Sequence, residues 1–304
     1  MSILVTGGAG FIGSSLLRQL KVDEEIICID KITYAANKSN VPLYVKLYEV
    51  DLWHEDSVRH VFEKEKITSI FHLAAETHVD NSIKNCKPFI ESNIIGTVNL
   101  LQCALENEVE KFMHISTDEV FGSIEEGSFF EGSRYIPRNP YSASKASSDH
   151  FVYAYNKTYG LPTIITNCSN NYGPRQFGEK LIPTIINNIK NDSPIPVYGD
   201  GQNVRDWIYV EDHCDALINL HKNGKLGERY NIGGECELTN LELIQKITNL
   251  MGKPEHPINF ITDRLGHDRR YSTSNDKICS ETDWKPTTDI TEGLRKTIEY
   301  YENH

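Results

Sequence analysis

Ile3-Leu4-Val5-Thr6-Gly7-Gly8-Ala9-Gly10-Phe11-Ile12-Gly13 is the stretch that decides the fold. The first four residues make a short strand. The glycines make a turn, and residues 14–20 continue with helical periodicity. Gly8, Gly10 and Gly13 fit GxGxxG, while Gly7, Gly10 and Gly13 fit GxxGxxG. In either reading the glycines let the backbone approach a pyrophosphate at a helix N-terminus, where unpaired N–H groups and the helix dipole favour anions. A plain glycine turn has the same residues. The strand before and the helix after turn a weak motif into a dinucleotide cradle, with Phe11 and Ile12 beside the glycines as further contacts.

Working outward, residues 25–30 form a second strand ending in Asp30. A carboxylate at that spacing accepts both ribose hydroxyls and repels a 2′-phosphate, which favours NAD over NADP. Lys31 beside it is a cation that tolerates a phosphate, so the two residues pull in opposite directions; Ile32 and Thr33 complete this candidate cofactor edge. Residues 44–50 read as a third strand, ending in Asp51-Leu52 at a plausible adenine edge. Residues 54–64 form a polar-faced helix. Residues 68–75 form a buried fourth strand whose last residues, Leu73-Ala74-Ala75, let a flat ring or ribose lie close to backbone. A helix over 89–106 carries Asn93, Gly96 and Asn99 on one stripe. A fifth strand, 111–116, stops just before Thr117-Asp118-Glu119. Asn139-Pro140 is helix-start chemistry, Asn as cap and Pro as first residue, and the helix runs through Tyr141 and Lys145 towards Tyr159. Residues 162–168 are a sixth strand.

This alternation predicts an α/β protein: a Rossmann-type doubly wound parallel sheet with ligands beyond the carboxyl ends of its strands. After residue 170 prolines and glycines become frequent and the alternation is lost. The expected division is 1–170 plus about 204–232 for the dinucleotide domain. A smaller mixed α/β lobe takes about 171–203 plus 233–304.

The chain has 304 residues and a net charge of −12, which excludes the global footprint of a nucleic-acid binder. No apolar run reaches transmembrane length. The first residues lack the basic region of a signal peptide. Seven cysteines are scattered singly, with no CxxC. Reduced thiols in a cytoplasmic protein are expected. His72, His78 and His267 lack zinc spacing, and no metal is expected.

Tyr141 and Lys145 are four apart and share a helix face. A free tyrosine titrates near ~10 and is a poor base at neutral pH. A nearby ammonium and a positive nicotinamide favour the phenolate, by roughly 1–3 units for one close opposite charge. The phenolate then takes a hydroxyl proton as hydride leaves, and Thr117 donates a hydrogen bond to the same oxygen. Y-x-x-x-K alone is weak. It gains force downstream of a dinucleotide fingerprint and one strand after a polar triplet.

With these residues in hand, the chain resembles the extended short-chain dehydrogenase/reductases, and more closely the dTDP-glucose 4,6-dehydratase family. The runs GGAGFIG, DKITYA, HLAAETHVDNSI, STDEVFG, NPYSASKASSDH, NNYGPRQFGEKLIP, PVYGDGQNVRDWIYVEDH, YNIGG and TDRLGHDRRY carry it, from residue 7 to residue 271. The resemblance implies Tyr141 as base at the sugar 4-hydroxyl, Asp118 as acid at the departing C6 hydroxyl and Glu119 as base at C5. The chemistry is coherent, since a C4 ketone acidifies the C5 proton and adjacent carboxyls in different protonation states are a recurring acid/base pair. Related epimerases have small or uncharged residues at Asp118 and Glu119. The resemblance also implies that Thr77, Ser92 and Asn171 face the cofactor. Thr77, Thr117 and Asn170 face the sugar. Lys180, Leu181, Pro196, Val197, Tyr198, Arg205, Asn240, Asp263, Arg264, His267 and Tyr271 face the nucleotide. Arg175, Arg269 and Arg270 lie in the same motifs, where arginine forks suit a diphosphate. A homodimer through the helices at 89–106 and 141–159 is implied as well. Phe121 replaces the tyrosine usual in the family's STDEVYG, and the stretch between Asp30 and Asp51 is compact. A sugar-nucleotide 4-epimerase and a non-catalytic dinucleotide sensor are the competing readings; Asp118-Glu119 oppose the first, and the intact Thr117, Tyr141 and Lys145 oppose the second.

Overall fold

The computed structural model describes residues 2–20 and 25–304. Its strands in chain order are β1 (Ser2–Thr6), β2 (Glu25–Asp30), β3 (Lys46–Glu49), β4 (Ile67–His72), β5 (Lys111–Thr117), β6 (Thr163–Cys168) and β7 (Asn170–Tyr172). They continue with β8 (Ile195–Tyr198), β9 (Val204–Tyr209), β10 (Arg229–Ile232), β11 (Glu237–Thr239), β12 (Ile258–Ile261) and β13 (Arg270–Tyr271).

One parallel sheet has the order β10-β6-β5-β4-β1-β2-β3. β1 and β4 are buried along their whole length, as strands covered on both faces must be. Their alternation divides the interior into two layers. Ile3 and Val5 pack with Leu16, Leu17, Leu217 and Leu220 from the helices Phe11–Gln19 and Val210–Asn223. Leu4 packs with Val58, Leu100 and Val152 from the opposite helices, Glu55–Lys64, Gly96–Glu106 and Pro140–Tyr159. From β1 the chain winds outward to β2 and β3, and from β4 the other way to β5 and β6. The crevice between the carboxyl ends of β1 and β4 is therefore the topological switch point, and the glycine turn opens it.

The helix expected over 89–106 is built in three pieces. Lys87–Phe89 is α-helical, Ile90–Ile95 is π-helical, and Gly96–Glu106 is α-helical again. The π turn buries Ser92 and Asn93. Short π segments recur at functional sites.

The lobe has its own core, in which Ile182, Ile185 and Ile186 meet Trp207, Leu243, Ile247 and Leu294. Here the structure corrects one expectation. The return to the large sheet does not begin at residue 204. β9 pairs with β11, β13 and β7. Its side chains explain this, because Trp207 and Tyr209 point into the lobe core while Ile208 between them points into the core of the large sheet. The helix Val210–Asn223 and β10 rejoin the large sheet, and so does the later helix Asp276–Thr282, expected in the lobe, because Ile278 and Trp284 pack into the core of the large sheet.

The two parts are tied together at the end of β10. Asp206 of β9 accepts the amides of Gly234 and Cys236, both at 2.8 Å. A Cβ on Gly234 would lie 1.9 Å from the Trp207 carbonyl oxygen, so this seam admits only glycine. Gly234→Ala is expected to destabilise the protein by roughly 1–3 kcal/mol, the usual range for overpacking. Urea titration checks this, and an unchanged midpoint would contradict it.

Candidate active site

The first turn of the fold makes a cradle with no room for side chains. Gly7 has φ +72°, and a Cβ there would lie 2.8 Å from the Ala74 amide nitrogen. A Cβ on Gly13 would lie 2.2 Å from the Gly7 carbonyl oxygen. Gly10 starts the helix Phe11–Gln19 without a side-chain cap, so the first amides of that helix are free to bind an anion.

At the end of β2 the buried Asp30 carboxylate accepts Ala9 N–H at 3.0 Å and Ile32 N–H at 2.8 Å. Burial raises its pKa, opposed by these two amides and by Lys31. Lys31 is itself held by Glu76 at 3.0 Å and Asp51 at 3.8 Å. Its charge is therefore compensated by the protein, leaving Asp30 to set the preference of this edge. Ile32 is placed differently from expectation. Its backbone turns at φ +50° to deliver its amide to Asp30, and it does not line the cavity.

A cavity of about 300 Å³ runs from this cradle to the end of β5. Gly7, Gly10, Phe11, Ile12, Gly13, Asp30, Lys31 and Thr33 line one end. Asp51, Leu52, Leu73, Ala74, Ala75 and Ser92 line its middle, and Thr77, Tyr141, Lys145 and Asn171 its far end. A second cavity of about 270 Å³ lies between the sheet and the lobe. Leu181, Pro196, Val197, Tyr198, Arg205, Asn240, Arg264, His267 and Tyr271 line it. The two cavities share Thr77, Glu119, Asn170, Glu179 and Lys180. A two-part ligand in one cavity thus meets a two-part ligand in the other beside Glu119.

At that junction β5 ends in Thr117, whose Oγ1 accepts the Glu119 amide at 3.3 Å and begins a short 3-10 turn. Asp118 is buried under this turn. Burial first, then Glu119 and Asp206, push its carboxyl well above the usual carboxylate range. Its Oδ1 accepts from Thr117 Oγ1 at 3.3 Å, and its buried Oδ2 has no partner. Asn139 caps the helix Pro140–Tyr159 through Ser142 and also reaches Glu119 Oε2 at 3.5 Å. That second contact was invisible in sequence, where Asn139 read only as a cap. Tyr141 is held by its amide to Ser82 Oγ at 3.2 Å. Burial, Glu119 and Cys168 hold its phenol well above the ordinary value, and Thr117 pulls it down. Lys145 Nζ donates to Ile115 O at 2.9 Å.

Lys145, Lys180 and Arg205 have no carboxylate within ion-pair distance among the described residues. Lys180 Nζ donates to Thr77 O at 3.0 Å. Arg205 donates to the carbonyls of Val204 and Asp268, with its guanidinium 4.1 Å from the Tyr271 ring centre. Cations satisfied only by carbonyls and a ring are poised for an anionic ligand. Other expected contacts are engaged elsewhere. Arg264 makes a two-point pair with Asp80 at 2.5 and 2.9 Å on the cavity wall. Asp263 does not line the cavity; its Oδ1 lies 2.7 Å from His267 Nδ1 and orients that ring. Arg269 pairs with Asp200, Arg270 with Glu237, and Arg175 lies over the Tyr300 ring, so none of the three reaches either cavity. Sequence reasoning missed Ala35, Ala36, Glu76 and Glu179 in the first cavity and Trp207 and Asp268 in the second. Trp207 lies in β9, and most of the others lie in runs quoted above, whose membership did not show which of their residues face a cavity.

The chain matches the family described as GDP-mannose 4,6 dehydratase over residues 4–297. It is 47% identical to the dTDP-glucose 4,6-dehydratase of Haemophilus influenzae, covering 99% of this chain and 98% of that one. The structure superposes on the dTDP-glucose 4,6-dehydratase DesIV of Streptomyces venezuelae, solved with NAD and dTDP bound. The TM-score is 0.96 at 42% identity, covering 100% of this chain and 97% of that one. UDP-glucose 4-epimerase of Thermotoga maritima, solved with UDP-glucose, superposes with a TM-score of 0.95 at 28% identity, covering 100% and 99%.

The raised carboxyl of Asp118 predicts a pH-dependent stability difference. A raised carboxyl pKa contributes fully below the unfolded value of about 3.9, and that contribution is lost as pH rises towards the folded value. Asp118→Asn removes the titration. The variant is expected to unfold at higher urea than the parent at pH 7, with the gap closing as pH falls towards 4. A gap that does not change with pH would contradict a raised Asp118 carboxyl.

Proposed function

This chain belongs to the dTDP-glucose 4,6-dehydratase family, and we propose that it converts dTDP-glucose to dTDP-4-keto-6-deoxyglucose and water, a lyase step of deoxysugar biosynthesis such as that of rhamnose. The observation that carries the reading is the pair Asp118 and Glu119, one buried with an unpartnered oxygen and a raised pKa, the other at the junction of both cavities. A 4-epimerase shares the fold but has no water to eliminate, and no use for a neutral acid at this point.

The cradle at Gly7 and Gly13, the Asp30 carboxylate and the compensated Lys31 fit NAD, with its pyrophosphate at the helix start and a ribose at Asp30. NAD, when bound, takes hydride from C4 of the sugar and returns it at C6. The chain's own groups handle the protons. Tyr141, with Lys145 and Thr117 beside it, accepts the proton of the 4-hydroxyl. Glu119 takes the C5 proton, made acidic by the C4 ketone, and returns a proton to C5 when C6 is reduced. Asp118 protonates the departing C6 hydroxyl through its free oxygen. Lys180 and Arg205 hold the diphosphate, Thr77 and Asn170 face the glucosyl group, and Pro196–Tyr198, Asn240, His267 and Tyr271 surround the nucleoside.

In this reading the large sheet holds NAD and the reacting groups, and the lobe holds the nucleotide. The protein acts as a cytoplasmic homodimer. No helix among the described residues is long and apolar enough to cross a membrane. Ile90, Phe151, Tyr153 and Tyr159 are exposed on the two helices expected to pair.

With C4-deuterated dTDP-glucose, the label is expected at C6 of a product that has lost water, read by mass spectrometry. Label retained at C4 with no mass loss would overturn the dehydratase reading. The double change Asp118→Asn, Glu119→Gln is expected to lower water loss by about 10²–10⁴-fold, while NAD reduction by the sugar persists in part.

A further inference from the structure

Asp149 is a carboxylate with no exposed surface that the reaction above does not use. It follows Lys145 by four residues and Tyr141 by eight, so the three share one stripe of the helix Pro140–Tyr159. A buried carboxylate persists only when it is paired and hydrogen-bonded. Tyr135 OH donates to its Oδ2 at 2.6 Å, and Asn167 Nδ2 donates to the same atom at 3.2 Å. His114 Nε2 lies 3.1 Å from its Oδ1. These partners come from the loop before the helix, from β6 and from β5.

None of the three supplies a positive charge. Burial and Lys145 push His114 down to about 4, so its imidazole is neutral. The cation on this stripe is Lys145. The groups facing it can be taken element by element. β5 offers His114, and β4 offers His72 with its ring 5.3 Å from that of His114. β6 offers Cys168, raised to about 12 and hence a thiol. The loop offers Tyr135, which faces Asp149 rather than the ammonium, and Tyr141, Asp118 and Glu119 lie around one another at the site mouth. Behind the ammonium, away from the mouth, Asp149 is the anion. Asp149 favours the charged form of Lys145 against the desolvation that opposes it, while Asp149 is itself held low against desolvation by His114 first and then by Lys145.

The same cluster reaches the reacting strand by a second route. Asn167 Nδ2 donates to the Thr117 carbonyl at 3.1 Å as well as to Asp149. Lys145 Nζ is tied two residues earlier, to Ile115 O.

We propose that Asp149 is a positioning residue of the redox group: it is the counter-charge that keeps Lys145 an ammonium, and through Asn167 it anchors the Thr117 end of β5. The inference rests on the dehydratase reading for the role of Lys145. An ammonium deprived of its counter-charge in a buried site gives up its proton at lower pH.

The test compares Asp149→Asn, Asp149→Glu and Tyr135→Phe with the parent, each as NAD-loaded protein. In Asp149→Asn the alkaline limb of kcat for dTDP-glucose is expected to move to lower pH by about one to two units, with KM nearly unchanged. Asp149→Glu restores the limb. Tyr135→Phe moves it in the same direction by less, and carries the test if Asp149→Asn does not fold. The lysine Cε NMR resonance that disappears in Lys145→Arg is expected to titrate at lower pH in Asp149→Asn. A loss of kcat by one factor at every pH, with the Lys145 titration unmoved, would mean that Asp149 only packs, and would overturn the proposal. The lysine titration needs no turnover, so it decides the role of Asp149 even if the parent protein fails to dehydrate dTDP-glucose, an outcome that would sink the functional reading alone.

Discussion

Backbone lies against backbone where β1, the helix Phe11–Gln19 and the end of β4 converge, and the rest of the structure depends on that approach. Side chains at Gly7 or Gly13 would collide with main-chain atoms of Ala74 or Gly7. Because nothing protrudes there, the first cavity opens over the carboxyl ends of β1 and β4, the paired strands from which the chain winds in opposite directions. β5 then ends one strand further out, which puts Thr117, Asp118 and Glu119 at the far end of that cavity.

Electrostatics inside this frame is arranged by burial more than by ion pairs. The chain is acidic overall, yet Lys145, Lys180 and Arg205 face the cavities without a carboxylate at contact distance among the described residues. Surface arginines of the same motifs are neutralised, Arg269 by Asp200 and Arg270 by Glu237. The contrast separates cations kept for a ligand from cations that stabilise the surface. Exposed pairs of the second kind contribute little, typically about 0–1 kcal/mol. Asp118 shows the reverse effect, since desolvation beside Glu119 pushes its carboxyl well above the usual range.

The order of strands through β6 was legible because each is a short apolar run closed by glycine, an acid or a cap, and because the helices between them carry strong periodicity. The candidate site was legible because Thr117, Asp118 and Glu119 lie in one run and Tyr141 and Lys145 lie one helical turn apart, and all five line the first cavity. Legibility faded in the lobe. β9 alternates between two cores, so its pattern resembles a strand of the large sheet while its hydrogen bonds belong to the small one. Arginines within one motif could not be sorted either, because whether a guanidinium meets Asp80, Asp200 or a ligand depends on residues far away in the chain.

By itself, then, the sequence determined the doubly wound sheet, the glycine cradle and the candidate site residues, since these rest on local periodicity, on backbone sterics and on spacings within a helix or a turn. The tertiary structure alone decided which carboxyl is pushed above its usual range, which cations have no carboxylate at contact distance and how Asn167 joins Asp149 to the Thr117 carbonyl. Those properties are set by desolvation and by contacts between β5, β6 and the helix Pro140–Tyr159. Only packing brings those contacts into being.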